Sequence, residues 1–343
     1  RHRSVSRGLG DVYKRQKSNH PKVLASVLFK PMLQWVMDAA EGAGVKELCV
    51  VTGHKHEQVE AYLQAAQKPG GANLHHVLQA EQRGTGHAVM MAEPFLRAHN
   101  GGNTLVLNGD APFVSAEVLK TALAAHVGQG NAVTVISAEL DDPSGYGRIV
   151  RDPATGLVRA IVEQKDADEA TLAVREINSG AYWFRTDDLL SILGCIRNDN
   201  AQGEYYLTDA VRLLIEQNKN AGAYIASDPA AVMGANDCVQ LNSLNEIARE
   251  RVLHAQMLAG VEIPCTDGVL IGPDVTIGRS TRILPNTILR GNTAVGADCS
   301  IGPSVVLTDC TVGDGASLCF ASCEHTNISS SQAVAPFTVI GTP

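Results

Sequence analysis

Apolar residues recur every six positions through the C-terminal quarter of the chain. The residues on this spacing are Ile271, Ile277, Ile283, Leu289, Val295, Ile301 and Leu307, and Val312 and Leu318 continue it after a shift of one residue. An α-helix repeats at 3.6 residues and a flat strand at two, so neither explains a period of six. A triangular parallel β-helix does, because each side of a coil places one apolar residue inside. A string of ordinary hairpins is the alternative, and so many consecutive matches disfavour it.

The region before these repeats alternates short apolar runs with amphipathic segments, from Pro31 to about Ile225. The predicted strands are Glu47–Val51, Leu74–Leu78, Thr104–Leu107 and Ala132–Ser137, and the predicted helices are Glu57–Ala66, Gly86–Leu96 and Ala116–Ala125. This order is typical of βαβ units and of a mainly parallel sheet covered on both faces. Such sheets bind ligands at the carboxyl ends of their strands, so polar residues that end strands are the first candidates for a site.

A long helix is predicted between the two regions, over residues 237–260. Its apolar side is formed by Val239, Leu241, Leu244, Ile247, Val252 and Leu258. Gly260 ends the helix, since glycine favours the position after a helix C-terminus.

Composition excludes several classes of protein. With 343 residues, 45% hydrophobic and 19% charged, the chain is typical of soluble globular proteins. A net charge of -8 argues against nucleic-acid partners, and no apolar run is long enough for a membrane partner or a signal peptide. The eight cysteines form no CxxC pair, which favours free thiols and a cytoplasmic location.

Two common nucleotide-binding motifs are excluded. The chain has no GxxxxGK followed by Ser or Thr, and Val89 stands where the glycine run that begins Gly84-Thr85-Gly86 needs its third glycine. Asn108-Gly109-Asp110 instead closes a predicted strand, where a carboxylate could hold a hard cation such as Mg²⁺, which prefers oxygen ligands. A residue at this place can also be a simple turn former.

A second polar segment, LQAEQRGTGHA, spans residues 78–88. Gln79 and Gln82 carry amides that can hydrogen-bond the edge of a base, and free N–H groups at the start of the following helix favour phosphate. A capped helix without a ligand is the alternative. Lys22 follows Pro21 before an apolar run, where it could meet a phosphate as a point charge.

Taken together, these motifs resemble one family over nearly the whole chain from Lys17, the bacterial bifunctional N-acetylglucosamine-1-phosphate uridylyltransferase/glucosamine-1-phosphate N-acetyltransferases. The segments that carry the resemblance are HPKVL, LQAEQRGTGHA, LNGDAPF, DDPSGYGRIV, IVEQKDA, EINSGAYWF, NAQGEYYLTD and GANDCVQL, in that order, followed by the hexapeptide repeats. The resemblance implies a Rossmann-like nucleotidyltransferase domain followed by a short left-handed parallel β-helix. It also implies a homotrimer that forms through the β-helix.

The resemblance assigns site residues for UTP, N-acetylglucosamine-1-phosphate and Mg²⁺. Gln79, with Gln82, Gly84 and Thr85 beside it, would bind the uracil, and Lys22 would lie against the phosphates. Asp110 and Asn236 would hold Mg²⁺, with Asn108 and Gly109 lining the same strand end. Gly147, Glu163 and Asn178 would hold the sugar. Arg15 falls where the family has an arginine and is expected, with Lys22, to act in catalysis.

The resemblance breaks down at both ends of the chain. The family has a first strand and a Gly-rich phosphate loop where this chain has GLGDVYKR, with Asp11 and Tyr13 in glycine places. We therefore interpret residues 1–16 as foreign and expect little activity from the chain as written. The family's acetyltransferase site lies in later coils than those before Pro343, so that activity is not expected of this chain.

The expected divisions are residues 17–236 for the nucleotidyltransferase domain, 237–262 for the linking helix and 263–343 for a partial β-helix. The leading hypothesis is an enzyme that makes UDP-N-acetylglucosamine for peptidoglycan and surface polysaccharide. The alternatives are a nucleotidyltransferase for another sugar-1-phosphate and a non-catalytic solenoid scaffold.

Overall fold

The structure, a computed structural model, describes residues 20–200 and 202–341. Arg15 and the segment interpreted as foreign lie outside the described residues. The chain separates into two compact units, one formed by Met32–Asp237 with the residues up to Ala25, and the other by Ser26–Pro31 with Cys238–Pro343. The domain limits inferred from the sequence remain predictions.

The helices and strands were numbered along the chain. The helices are α1 (Met32–Gly42), α2 (His56–Ala66), α3 (Thr85–Met91), α4 (Glu93–Ala98), α5 (Ala116–Gly128), α6 (Glu169–Leu172), α7 (Thr186–Ile192), α8 (Thr208–Glu216) and α9 (Cys238–Leu258). The first ten strands are β1 (Ser26–Val27), β2 (Lys30–Pro31), β3 (Glu47–Thr52), β4 (Asn73–Leu78), β5 (Asn103–Val106), β6 (Val133–Glu139), β7 (Arg148–Arg151), β8 (Val158–Val162), β9 (Glu176–Arg185) and β10 (Ala221–Ile225). The others are β11 (Leu270–Ile271), β12 (Thr276–Ile277), β13 (Arg282–Ile283), β14 (Ile288–Arg290), β15 (Ala294–Val295), β16 (Ser300–Ile301), β17 (Val305–Thr308), β18 (Thr311–Val312), β19 (Ser317–Leu318), β20 (Ala321–Glu324), β21 (Asn327–Ile328), β22 (Ala333–Val334) and β23 (Val339–Ile340).

The first unit has the predicted α/β class, in which strands alternate with helices. Strands β5, β6 and β10 run in one direction, and β3 pairs in parallel with β4. The long strand β9 runs against β5, β6 and β7, so the sheet is mixed where β9 enters it. Two parallel neighbouring strands need a long crossover connection, which is usually a helix. Between β8 and β9 the chain has only the four-residue helix α6. The pattern of apolar runs cannot predict the direction of β9, because a buried strand has the same apolar composition whether it is parallel or antiparallel to its neighbours.

The predicted helix over residues 86–96 is two helices in the structure. Helix α3 ends before Ala92, and α4 starts at Glu93 with Pro94 in its first turn. Proline is favoured at that position because its missing N–H would have no partner inside the helix. The other predicted strands and helices of this unit agree with the structure to within about three residues.

The second unit contains the predicted β-helix, with three parallel sheets as its sides. Their strand orders are β11-β14-β17-β20-β23, β12-β15-β18-β21 and β13-β16-β19-β22. In the first sheet Ile271 pairs with Leu289 and Leu289 with Leu307, 18 residues apart each time, which is three periods of six. These residues are fully buried. The next coil is shorter, because Leu307 pairs with Cys323 only 16 residues later. The six-residue pattern of apolar residues did not predict a cysteine at this inward position.

The helix between the two regions, α9, forms as predicted, but its buried side differs from the prediction. Leu244, Ala248 and Leu253 are its buried residues, whereas Val239 and Leu258 are 76% and 77% exposed. Val239 lies roughly 140° around the helix from Leu244, and Leu258 is the last helical residue. The stripe is therefore narrower than the set of apolar residues suggested. No helix among the described residues is long and apolar enough to span a membrane.

Candidate active site

Three segments far apart in the sequence meet at the side chain of Lys22. Its Nζ donates to Oδ2 of Asp110 at 2.5 Å and to Oδ1 of Asn236 at 2.9 Å. Lys22 begins a short 3₁₀ helix after Pro21, Asp110 follows β5, and Asn236 comes shortly before α9. Lys22 and Asp110 are both buried, so a charged pair lies at the strand end that the sequence singled out. Burying two charges is unfavourable unless they compensate each other, which this contact does.

The oxygens around Lys22 fit the divalent cation that the family implies. Oδ2 of Asp110 and Oδ1 of Asn236 converge on one point, where the ammonium nitrogen now stands as the cationic group. Carboxylate and amide oxygens are ligands that Mg²⁺ accepts, with phosphate oxygens completing its shell. Within residues 20–200 and 202–341 there is no cluster of three or more His, Cys, Asp or Glu placed to hold a metal.

The surroundings of Asp110 include the neighbouring Gly109, the closely packed Gly234 and the electrostatically coupled Tyr146. A Cβ atom on Gly109 would lie 3.3 Å from Val23, and one on Gly234 would lie 3.0 Å from the carbonyl oxygen of Asp110. Burial raises the pKa of Tyr146, and the negative charge of Asp110 raises it further. Gly234 and Tyr146 were not predicted as site residues, although they lie in the motifs GANDCVQL and DDPSGYGRIV.

The segment LQAEQRGTGHA forms a compact loop before α3. Nε2 of Gln79 donates to the carbonyl oxygen of Gly84 at 3.1 Å and lies 3.0 Å from Nδ1 of His87. Gly84 has φ +108°, and a Cβ atom there would lie 2.5 Å from the carbonyl oxygen of Tyr205. Glycine is therefore required at this position by both backbone conformation and space.

The segment before α8 fixes the other end of this loop. Thr85 Oγ1 accepts from the N–H of Leu207 at 3.1 Å, and the N–H of Gly86 donates to Tyr205 at 2.8 Å. The side chain of Gln82, by contrast, is exposed, and its amide lies beside Gly53 rather than beside Gln79. Of the residues predicted for the base, the structure thus brings together Gln79, Gly84 and Thr85.

The three residues expected to hold the sugar lie together. The N–H of Asn178 donates to the carbonyl oxygen of Gly147 at 2.9 Å, and a Cβ atom on Gly147 would lie 3.3 Å from Oε1 of Glu163. Asn108 lies in the segment after β5, and its Nδ2 donates to the carbonyl oxygen of Ser179 at 3.4 Å. A side chain at position 147 would therefore require the carboxylate of Glu163 to move by a few tenths of an ångström.

The carboxyl group of Glu163 is largely buried and lies near other carboxylates. Burial raises its pKa above the ordinary value, and the negative charge of Asp166 raises it further, while a hydrogen bond with Thr208 lowers it. Burial also raises the pKa of Tyr206 to about 12, with Glu204 as the next cause. Tyr206 and Thr208 belong to the motif NAQGEYYLTD, yet the sequence analysis gave them no role.

Comparison with known proteins places the chain. Residues 17–249 match the nucleotidyl transferase family, and residues 274–309 match six bacterial transferase hexapeptide repeats. The bifunctional protein GlmU of Caldanaerobacter subterraneus subsp. tengcongensis is 42% identical over 336 residues, which are 98% of this chain and 70% of that protein. The GlmU of Thermoanaerobacter pseudethanolicus is 41% identical with the same coverage. The chain belongs to the GlmU family.

The GlmU assignment confirms the family that the motifs indicated, and with it the nucleotidyltransferase and uridylyltransferase function and the two-part fold. GlmU proteins use nucleotide and sugar phosphate substrates and a divalent metal. A crystal structure of UDP-glucose pyrophosphorylase complexed with UDP-glucose has a TM-score of 0.58 and 17% identity, covering 71% of this chain and 96% of that one. At this identity the likeness concerns the fold alone.

Proposed function

We propose that the first unit transfers a uridylyl group from UTP to N-acetylglucosamine-1-phosphate, with Mg²⁺ held by Asp110 and Asn236. The observation that carries the proposal is the convergence of both oxygens on the ammonium group of Lys22. An ammonium group and a divalent cation together match the dense negative charge of a nucleoside triphosphate. On nucleotide binding, Lys22 exchanges Asp110 for a phosphate oxygen.

The reaction is an in-line displacement at phosphorus. A phosphate oxygen of the sugar substrate forms a bond with the α-phosphorus of UTP, and the bond from that phosphorus to the bridging oxygen breaks, which releases pyrophosphate. The cation supplies charge neutralisation and alignment of the phosphates. Lys22 would supply further positive charge to the phosphates, and no proton has to be abstracted, so the residues act by positioning. A catalytic role for Arg15 remains a prediction.

The remaining residues set which base and sugar are accepted. Gln79 is already oriented by Gly84 and His87, so its amide can be presented to a uracil edge without reordering. Glu163 and Asn178 flank the main chain of Gly147. The carboxylate of Glu163 suits the hydroxyl groups of an N-acetylated sugar, and the amide of Asn178 suits its N-acetyl group. This set favours N-acetylglucosamine-1-phosphate over glucose-1-phosphate.

Pyrophosphate release tests the proposal. Because little activity is expected of the chain as written, residues 1–16 are first replaced by a first strand and a Gly-rich phosphate loop of the family's type. This repaired chain, called the parent chain below, is incubated with UTP and each sugar phosphate in turn, with Mg²⁺ and without it. We expect release that needs the metal and is fastest with N-acetylglucosamine-1-phosphate. Equal rates with glucose-1-phosphate would contradict the sugar assignment, and release with dTTP or ATP but not UTP would contradict the base assignment.

We also propose that the chain assembles through its β-helix as a homotrimer and acts in the cytoplasm, making UDP-N-acetylglucosamine for the cell wall. Sides built from flat parallel sheets can associate around a threefold axis. Light scattering should then report three times the chain mass of 36.3 kDa. A stable monomer at micromolar concentration would contradict the trimer.

A further inference from the structure

Arg148, the first residue of β7, carries a charge into the interior of the first unit. Only 2% of its surface is exposed, and it lies opposite Val162 on one side and Ile177 on the other. Its Nη1 donates to the carbonyl oxygen of Tyr146, and its Nη2 donates to Oε1 of Gln164 at 3.5 Å. Among the described residues, Nε has no hydrogen-bond partner. Its hydrogen-bond partners are neutral, and the carboxylate of Asp142 interacts with it electrostatically. A buried charge without a charged hydrogen-bond partner is costly, so its contacts need an explanation beyond packing.

These contacts all close one loop, residues 141–147. Oε1 of Gln164 also accepts from the N–H of Gly145, so Arg148 and the loop share one acceptor. The N–H of Tyr146 donates to the carbonyl oxygen of Pro143 at 3.3 Å. Gly145 has φ +90°, a conformation that few other residues adopt. The loop therefore keeps its shape through Arg148 and Gln164 as well as through its own backbone.

The loop ends at the candidate sugar pocket. Arg148 and Gln164 directly follow Gly147 and Glu163, the pair in which a Cβ atom on the glycine would lie 3.3 Å from the carboxylate. The two residues thus lie immediately behind the pair that would contact the sugar. A shift of this loop would therefore move the groups that are expected to hold the sugar.

We propose that Arg148 is a positioning residue: its guanidinium holds the carbonyl group of Tyr146 and the amide of Gln164 so that the main chain of Gly147 faces the sugar phosphate. This inference rests on the proposed function. Arg148 touches no substrate itself. A planar guanidinium suits the task because it reaches two acceptors at a fixed angle, which an ammonium group cannot do.

The test uses the parent chain with its repaired phosphate loop and the variants Arg148→Met and Arg148→Lys made in it. Arg159→Met is the control because Arg159 is exposed on the neighbouring strand. We expect Arg148→Met to raise KM for N-acetylglucosamine-1-phosphate by about tenfold, while KM for UTP changes less than about threefold. Arg148→Lys should lie between Arg148→Met and the parent chain, and Arg159→Met should match the parent chain. A rise of both KM values together, or of neither, would overturn the proposal.

Hydrogen exchange gives a second readout that needs no turnover. In the chain without substrate, the amides of Gly145 and Tyr146 should exchange faster in Arg148→Met than in Arg159→Met. Unchanged exchange would overturn the proposal. If Arg148→Met fails to fold, Gln164→Leu removes the shared acceptor while Arg148 stays, and the same split between the two KM values is expected.

The two proposals fail in different ways. A parent chain that releases no pyrophosphate with any sugar phosphate contradicts the proposed function. In that case faster exchange in Arg148→Met still supports a loop held by Arg148, and unchanged exchange still refutes it. A parent chain that is active, with a variant that loses affinity for UTP and sugar phosphate equally, refutes the positioning role alone.

Discussion

The ammonium nitrogen of Lys22 lies 2.5 Å from Oδ2 of Asp110, although 88 residues separate the two along the chain. Both side chains are at least nine-tenths buried, so removing either one would leave the other charge buried without its partner, at a cost in stability. The contact joins the residue expected to meet phosphate with the residue expected to meet the metal. Under the proposed function, the ammonium group and the cation would both neutralise the phosphates of one nucleotide near this contact.

Replacing the carboxylate should abolish the chemistry while leaving the fold in place. Asp110→Asn keeps the shape and one oxygen but removes the charge, so we expect pyrophosphate release to fall by about a hundredfold or more. The exposed Asp267→Asn serves as the matched control and should retain full activity. Activity of Asp110→Asn that is restored to the parent level by excess Mg²⁺ would contradict the metal assignment.

Gly84 should tolerate no side chain. Gly84→Ala forces a Cβ atom against the carbonyl oxygen of Tyr205, in addition to the strain of a positive φ. We expect a loss of about 2 to 4 kcal/mol in unfolding free energy and a rise in KM for UTP. Gly101→Ala has the strain alone, because no atom lies within 4 Å of its added carbon, and should cost about 1 kcal/mol. Urea denaturation of both variants measures the difference, and equal losses would argue against the steric role of Tyr205.

Glu163 should make stability depend on pH. Because burial raises its pKa in the folded state, the folded chain binds more protons than the unfolded chain between the ordinary value of 4.5 and the raised value. Stability therefore falls as pH rises through that window, and Glu163→Gln should remove this part of the fall. Unfolding free energies of the variant and the parent chain, compared from pH 4.5 upward, measure the effect.

The control for this comparison is the exposed Glu250→Gln in α9, which should follow the parent chain at every pH. A difference between Glu163→Gln and the parent chain that stays constant with pH would mean that the carboxyl group of Glu163 does not titrate in the window. The raised pKa would then be refuted without affecting the place of Glu163 in the pocket.

The inward column of the β-helix should carry much of the stability of the second unit. Leu289 is fully buried between Ile271 and Leu307, so Leu289→Ala leaves a cavity and should cost about 2 to 5 kcal/mol. Leu258→Ala removes the same atoms from a side chain that is 77% exposed and should cost less than about 0.5 kcal/mol. Urea denaturation followed by circular dichroism compares the two, and equal midpoints would contradict the inward orientation of Leu289.

The motifs placed the candidate site only in part. Asp110 could be singled out because it follows a predicted strand and Gln79 because it lies in a polar segment before a helix, whereas Gly147 was expected only from the family resemblance. Tyr146 and Arg148 could not, since their importance comes from their surroundings. The charge of Asp110 raises the pKa of Tyr146, and Arg148 donates to a carbonyl group and to an amide oxygen. The role of Gln82 stays a prediction: its side chain is exposed and lies beside Gly53 rather than beside Gln79.

The sequence by itself determined the β-helix and the α/β class, because both depend on the spacing of apolar residues along a short stretch of chain. A six-residue period dictates which residues face inward whatever the rest of the protein does. Only the tertiary structure decided the direction of β9, the buried stripe of α9 and the meeting of Lys22, Asp110 and Asn236. These depend on which segments pack together across as many as 214 residues, and local periodicity carries no information about such distances.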